Sequence, residues 1–124
     1  MRAEQSIFLH NVAKLILWAF EQGYELTGGE LHRTEDQQQL YYYGFSIEET
    51  NGNLYLLQGE KKTKTLNSKH KNKLAVDLNL FINGKYITEG EKFAPLAAYW
   101  SKLDRRNESG SDWNYDHNHF QMTL

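Results

Sequence analysis

Apolar and polar residues alternate along the segment from residue 74 to residue 82, "LAVDLNLFI". Leucine, valine and isoleucine occupy the even-numbered positions, whereas Asp77 and Asn79 lie at odd-numbered ones. A period of two residues is typical of a β-strand with one face in the core. Asn83 and Gly84 then predict a tight hairpin turn into "KYI". The segment therefore predicts a strand that carries Asp77 on its non-core face.

Two longer segments have the spacing of amphipathic helices. Residues 4–22 carry apolar residues near a 3.6-residue period and are followed by Gly23, and residues 91–106 have Pro95 in their first turn. We expect each helix to contribute its apolar face to the core. The first helix contributes Ile7, Phe8, Val12, Leu15, Ile16, Ala19 and Phe20, and the last helix contributes Phe93, Leu96, Ala97, Trp100 and Leu103.

Shorter elements connect these segments. "YELTGGELHR" predicts a strand with a glycine irregularity, and a helix should begin at Thr34, where Gln37 completes a capping box, and end near Gly44. Within residues 45–69, "NGN" marks a turn, "LYLL" a short strand and "GEKKTKTLNSK" a mobile, lysine-rich loop. "NESGSDWN" predicts a loop and "HNHFQMTL" a final strand. This order predicts one domain over residues 1–124, an α+β fold whose small antiparallel sheet carries helices on one face.

The composition suits a globular domain and excludes several kinds of chemistry. The chain has 124 residues, of which 40% are hydrophobic and 24% charged, and its net charge is −2. That charge gives no general attraction to nucleic acid or anionic lipid, so neither is an expected partner, and we expect a monomer. Because the chain has no cysteine, disulfides and thiolate ligands are excluded. A metal would be held by His, Asp or Glu, which suits a catalytic zinc.

The apolar run near the N-terminus does not resemble a targeting segment. His10, Asn11 and Lys14 interrupt it, and no small-residue cleavage site follows. It is also too short and too polar to span a bilayer. We therefore expect a protein made in the cytoplasm, without signal peptide and without stable membrane insertion.

Three polar clusters, "LHRTEDQ", "SKHKNKLAVD" and "DWNYDHNHF", contain four of the five histidines. An unpaired buried carboxylate at Asp77 would be costly, so it needs a cation. A turn before the strand could bring His70 beside Asp77, and His119 is a third candidate. Two histidines and one carboxylate form a common hydrolytic zinc site. Asp77 could instead be an edge-strand acid, His70 a solvated loop residue, and the pair His117 and His119 fortuitous.

The spacing of these clusters resembles a family pattern, S-x-H-x(6)-D followed far downstream by D-x-x-H-F. The matching positions are Ser68, His70, Ala75, Asp77, Asp116 and His119. The pattern resembles that of the zinc D-Ala-D-Ala carboxypeptidases and L-alanyl-D-glutamate endopeptidases, which include vancomycin-resistance dipeptidases and many phage endolysins and share the hedgehog/DD-peptidase fold. The usual first motif is SxHxxGxAxD, and this chain has Lys73 at the glycine. A lysine fits there if its φ is negative.

The resemblance implies a role for each matched residue. Zn²⁺ would be bound by His70, Asp77 and His119. Asp116 would be the general base that activates the attacking water.

Three further assignments are less direct. Arg33, which with Gln37 matches the upstream arginine and glutamine of the family, would stabilise the developing oxyanion. Ser68 would hydrogen-bond the substrate or the site. His117 could replace His119 as the ligand, and Asp112 could compete with Asp116 as the base.

The resemblance further implies a zinc metallopeptidase that hydrolyses peptidoglycan stem peptides. The favoured type is an L-alanyl-D-glutamate endopeptidase of the phage endolysin kind, which acts on the cell wall after release through a holin pore. A D-Ala-D-Ala carboxypeptidase or dipeptidase, a phage tail component with local lytic activity, and a non-catalytic metal- or peptide-binding module on the same fold are alternatives. Asp116 and Arg33 favour an enzyme, because a binding module needs no general base.

Overall fold

An antiparallel sheet of five strands organises the protein. The structure is a computed structural model that describes residues 1–63 and 68–124. Its elements are α1 (Arg2–Glu21), β1 (Glu25–Gly28), α2 (Glu35–Tyr43), β2 (Phe45–Thr50), β3 (Asn53–Gln58), β4 (Ala75–Ile82), β5 (Lys85–Tyr86), α3 (Ala94–Leu103), β6 (Asn107–Ser109) and β7 (His119–Met122). The strand order is β1-β4-β7-β6, β5 also pairs with β4, and β2 and β3 form a separate hairpin. The predicted α+β class is confirmed.

The core lies between one face of this sheet and the helices α1 and α3. The even-numbered residues of β4 from Val76 to Leu80 are buried, as the alternation predicts. Trp100 of α3 is fully buried, and its ring meets those of Phe8 in α1 and Phe120 in β7 edge-on, with centroids 5.7 and 6.0 Å away. Since side chains alternate along a strand, the odd-numbered side chains of β4 point to the opposite face of the sheet, away from the helices.

The buried stripe of α1 is narrower than predicted. Phe8, Val12, Leu15 and Ala19 are buried, and the polar Asn11 shares their face. These positions follow the three- and four-residue spacing of one helix face. The prediction was wrong for three apolar residues beside this stripe, which are exposed: Ile7, Ile16 and Phe20.

Local turn chemistry sets most element boundaries. The Thr34 hydroxyl accepts a hydrogen bond from the Gln37 N–H at 3.1 Å, and Gly44 ends α2 in the left-handed region with φ 77°. Asn83 and Gly84 have φ values of 53° and 77°, the combination that a two-residue hairpin turn requires. The predicted helix, its cap at Thr34 and the hairpin turn are confirmed, while the Gln37 side chain donates to the Tyr41 hydroxyl at 3.3 Å.

Other boundaries differ from the prediction. Helix α3 ends at Leu103 rather than at residue 106, and the predicted loop "NESGSDWN" contains the strand β6. That strand has only three residues, too few for an alternation to be visible. The predicted lysine-rich loop "GEKKTKTLNSK" includes residues 64–67, which lie outside the described residues. Among the described helices, none is both long and apolar enough to cross a membrane.

Candidate metal centre

Strand pairing brings Asp77 and His119 together. In the register of β4 and β7, Asp77 lies directly opposite His119, while Val76 faces Phe120 on the core side. Directly paired residues of antiparallel strands point to the same face, so both polar side chains project away from the helices. Backbone hydrogen bonding of the sheet therefore fixes the position of two of the three predicted ligands.

His70 reaches the same place from a short 3₁₀ turn, Lys69–Asn72. The Ser68 hydroxyl caps this turn by accepting from the His70 N–H at 3.2 Å. At its other end the Leu74 N–H donates to the carbonyl of Lys69 at 3.0 Å, and the Lys73 N–H donates to that of His70 at 3.3 Å. This pair of bonds is a Schellman motif. The resulting turn buries His70 to 2% exposure.

Lys73 closes this turn in a conformation that favours glycine. Its φ and ψ are 58° and 36°, in the left-handed region. The negative φ given as the condition for a lysine at this position is not found, because the C′ position of a Schellman motif requires a positive one. The glycine of the family motif thus has a conformational reason, and this chain holds a lysine in the same backbone geometry.

The three predicted ligands form one cluster that could hold a metal ion. His70 Nε2 and His119 Nδ1 each lie 3.3 Å from Asp77 Oδ1, and the three ligand atoms are within 4.8 Å of one another. Ligands bound tetrahedrally at about 2.0–2.1 Å from a zinc ion lie roughly 3.3 Å apart. The two spacings to Asp77 therefore match those around a tetrahedral ion, and the three donors are close enough together to hold one.

The outer nitrogen of each imidazole has an acceptor beside it. His70 Nδ1 is 3.2 Å from the carbonyl oxygen of Leu31, and His119 Nε2 is 2.8 Å from Gln121 Oε1. Because these oxygens only accept, each can accept the outer N–H of its ring while the inner nitrogen binds a metal. Without a metal, an inner N–H can donate to Asp77. Such outer partners commonly orient histidines that bind metals, so the donor set fits a divalent transition metal.

The cluster also perturbs the titration of its members. Burial would raise the pKa of Asp77, but hydrogen bonds from His119 and His70 and the charges of both rings lower the pKa to about 2. Burial would lower the pKa of His119, whereas its bonds to Asp77 and Gln121 and nearby carboxylate charge raise the pKa overall. Asp77 is therefore ionised at neutral pH, as a metal ligand must be.

Asp116 lies beside the cluster on a tight turn. Its Oδ2 is 3.8 Å from His119 Nδ1, and its side chain is 49% exposed. The residue has φ 57°, and its carbonyl accepts from the His119 N–H at 3.0 Å. Gly110 packs against this turn so closely that an added Cβ would lie 1.7 Å from the Asp116 carbonyl oxygen. The turn thus holds a solvent-accessible carboxylate next to the ligands and depends on a glycine behind it.

Arg33 also lines the cleft above the cluster, but it is more constrained than the sequence suggested. Its side chain is buried and donates to Glu30 and, at 2.8 Å, to Gln38 Oε1. Its guanidinium carbon lies 4.9 Å from the ring centre of Tyr41. The oxyanion role of Arg33 stays a prediction. Glu30 and Gln38 were not singled out in the sequence because neither lies within a matched motif.

Neither residue named as an alternative belongs to the cluster. His117 Nδ1 is 3.0 Å from Ser111 Oγ, and Asp112 accepts from the Ser109 N–H at 2.9 Å, which closes the turn after β6. His117 lies outside β7, which begins at His119. Both residues therefore have local structural contacts away from the ligand atoms.

The cleft around the cluster has a volume of about 1160 Å³. Its lining includes the lysines Lys61, Lys62 and Lys69 and the aromatic residues Trp113 and Tyr115. The ring centre of Trp113 is 5.5 Å from that of His119. The cleft therefore presents positive charge and aromatic surface around a metal-type cluster.

Among the solved structures that resemble this chain in fold is the L-Ala D-Glu endopeptidase ChiX of Serratia marcescens, with a TM-score of 0.60 and 22% sequence identity. The match covers 90% of this chain and 77% of ChiX. No protein-family model and no curated protein sequence matches the chain. The comparison therefore establishes that the chain shares the fold of an endopeptidase.

Proposed function

We propose that residues 1–124 form one zinc-dependent peptidase domain that hydrolyses the stem peptides of peptidoglycan. The observation that carries the proposal is the convergence of His70, Asp77 and His119, with an accessible carboxylate, Asp116, beside them. A site that only bound a metal would not need this carboxylate. The fold shared with ChiX, which is named as an endopeptidase, supports the same reaction class.

In this proposal the chain supplies a base and a charged group to the reaction. A metal at the cluster would polarise the scissile carbonyl and make water easier to deprotonate. Asp116 takes the proton of the attacking water and passes it to the leaving amine. Arg33, held by Glu30 and Gln38, stabilises the negative charge that develops on the carbonyl oxygen.

The three lysines in the lining of the cleft favour an L-alanyl-D-glutamate bond as the substrate. In residues 1–63 and 68–124, none of Lys61, Lys62 and Lys69 forms an ion pair with a carboxylate. These ammonium groups are therefore available to attract the free carboxylate of a glutamate next to the scissile bond. ChiX is named for the same bond. A D-Ala-D-Ala substrate, which has its carboxylate at the chain end, is the second candidate.

Digestion of purified peptidoglycan tests the proposal directly. We expect soluble fragments with new N-terminal D-glutamate, identified by mass spectrometry, and no release when a chelator is present. New termini at D-alanine would move the assignment to the second candidate. Failure of the metal-loaded protein to release any fragment would contradict the peptidase function.

Two variants separate the ligands from the base. His70→Ala should abolish both metal retention and hydrolysis, whereas Asp116→Asn should retain the metal and lose hydrolysis. Elemental analysis after gel filtration gives the metal content of each protein. Normal hydrolysis by Asp116→Asn would assign the base to another residue. Retention of peptide binding without hydrolysis in the unaltered protein would indicate a non-catalytic binding module.

We further propose that the domain is of the phage endolysin type, works as a monomer and reaches the cell wall after release through a holin pore. The resemblance of its motifs to those of many phage endolysins supports this type. Co-expression in bacteria with and without a holin tests it. We expect lysis only with the holin, and lysis without it would contradict the release route.

A further inference from the structure

We propose that Gln121 is a positioning residue which, together with Glu108, holds His119 in the tautomer and orientation that metal binding requires. The inference rests on the metal site of the proposed function and assigns a task to two residues that belong to none of the motifs in the sequence. Gln121 lies in β7, two residues after His119, and Glu108 lies in the neighbouring strand β6.

The hydrogen bonds of Gln121 run in a fixed direction. Gln121 Nε2 donates to Glu108 Oε2 at 3.3 Å, and Gln121 Oε1 is 2.8 Å from His119 Nε2. A carboxylate accepts but does not donate, so Glu108 holds the NH₂ end of the amide toward itself. The carbonyl end is thereby turned toward His119. That oxygen accepts the Nε2–H of His119 and so holds the ring with Nδ1, the nitrogen that faces Asp77, toward the position of a metal.

The sheet places these three side chains in a row. Glu108 and Gln121 are direct partners in the register of β6 and β7, and His119 shares their face because it is two residues away. From the core side, the indole N–H of Trp100 donates to the backbone carbonyls of both Glu108 and Gln121, at 3.0 and 3.1 Å. A fully buried residue thus fixes the backbone beneath the row.

Removal of the acceptor provides the first test. Gln121→Met keeps a similar side-chain length but offers His119 Nε2 only a thioether sulfur, which is a weak acceptor. Zinc affinity, measured by competition with a chelating dye, should weaken roughly 10–100-fold, as is typical when an outer partner of a metal-bound histidine is lost. Gln39→Met, the same change at an exposed position of α2, is the control and should bind zinc like the unaltered protein.

Exchange of the two side chains distinguishes positioning from a general structural role. The double variant Glu108→Gln/Gln121→Glu still places an acceptor beside His119 Nε2 and a donor behind that acceptor. Zinc affinity should therefore return to within about threefold of the original, because a carboxylate orients such a histidine as well as an amide does. If the double variant binds zinc as weakly as Gln121→Met does, the hydrogen-bonded pair of Glu108 and Gln121 is not what positions His119.

The tautomer of His119 provides a readout that does not depend on activity. Long-range ¹H–¹⁵N spectra of the zinc-loaded protein should show the proton of His119 on Nε2 and the metal on Nδ1. The opposite arrangement in the unaltered protein would overturn the inference. Zinc binding by Gln121→Met equal to that of the unaltered protein would also overturn it. If the zinc affinities and the tautomer are as expected but the protein does not cleave peptidoglycan, only the proposed peptidase function is contradicted.

Discussion

Lys73→Gly should stabilise the protein, although it removes a whole side chain. Lys73 has φ 58° and ψ 36°, and the left-handed region costs an L-residue about 1–2 kcal/mol. Glycine escapes that penalty but gains freedom in the unfolded chain, which offsets about 0.5–1 kcal/mol. The backbone hydrogen bonds of the motif do not involve the side chain. We therefore expect a net gain of about 0.5–1 kcal/mol in the free energy of unfolding.

Urea unfolding of the metal-free protein, followed by circular dichroism, measures this difference. The matched control is Lys102→Gly, which makes the same exchange in the last turn of α3. There the φ is that of a helix, and glycine should destabilise by about 1 kcal/mol. The two variants should thus shift the midpoint in opposite directions at similar m-values. A loss of stability in Lys73→Gly would refute the reasoning, because it would mean that the turn carries no left-handed strain.

Three further changes test other parts of the structure. Gly110→Ala should displace the turn at Asp116, because the new Cβ would lie 1.7 Å from the Asp116 carbonyl oxygen. Hydrolysis of peptidoglycan should fall at least about tenfold, while calorimetry should show that the fold is retained. Trp100→Phe should lower the free energy of unfolding by about 2–4 kcal/mol in urea titration, because it opens a cavity and removes the donor to two carbonyls. Folding lowers the pKa of Asp77 from 3.8 to about 2. The free energy of unfolding of the metal-free protein, measured by urea titration, should therefore fall by about 2 kcal/mol as the pH decreases from 3.8 to about 2, and this fall should be absent in Asp77→Asn.

The fold could be predicted where a pattern repeats several times. Nine residues of alternation defined β4 and its faces, and the pair Asn83 and Gly84 defined the hairpin after it. The three-residue strand β6 offered no such repetition, so its pairing with β7 appears only in the structure. Likewise, the choice of Phe8 rather than Phe20 for the core depends on where α3 and the sheet lie, which the helical period of α1 alone does not determine.

The site could be predicted only as far as its motifs extend. Matched spacing pointed to His70, Asp77 and His119, and the structure brings these three together. Gln121 and Glu108 escaped notice because their proximity is a consequence of strand register, not of spacing along the chain. The family motif has a glycine at the position of Lys73. Read as a conformational requirement, that glycine would have predicted the positive φ.

The same two-residue period builds the core and the candidate site. In β7, Phe120 and Met122 enter the core, while His119 and Gln121 point to the cleft. A one-residue shift of this strand would exchange the two sets, placing a histidine in the core and removing a ligand. Stability of the sheet therefore selects the register that the metal site requires. The turns that carry His70 and Asp116 lie outside this register, and they depend instead on a hydroxyl cap and on a close glycine contact.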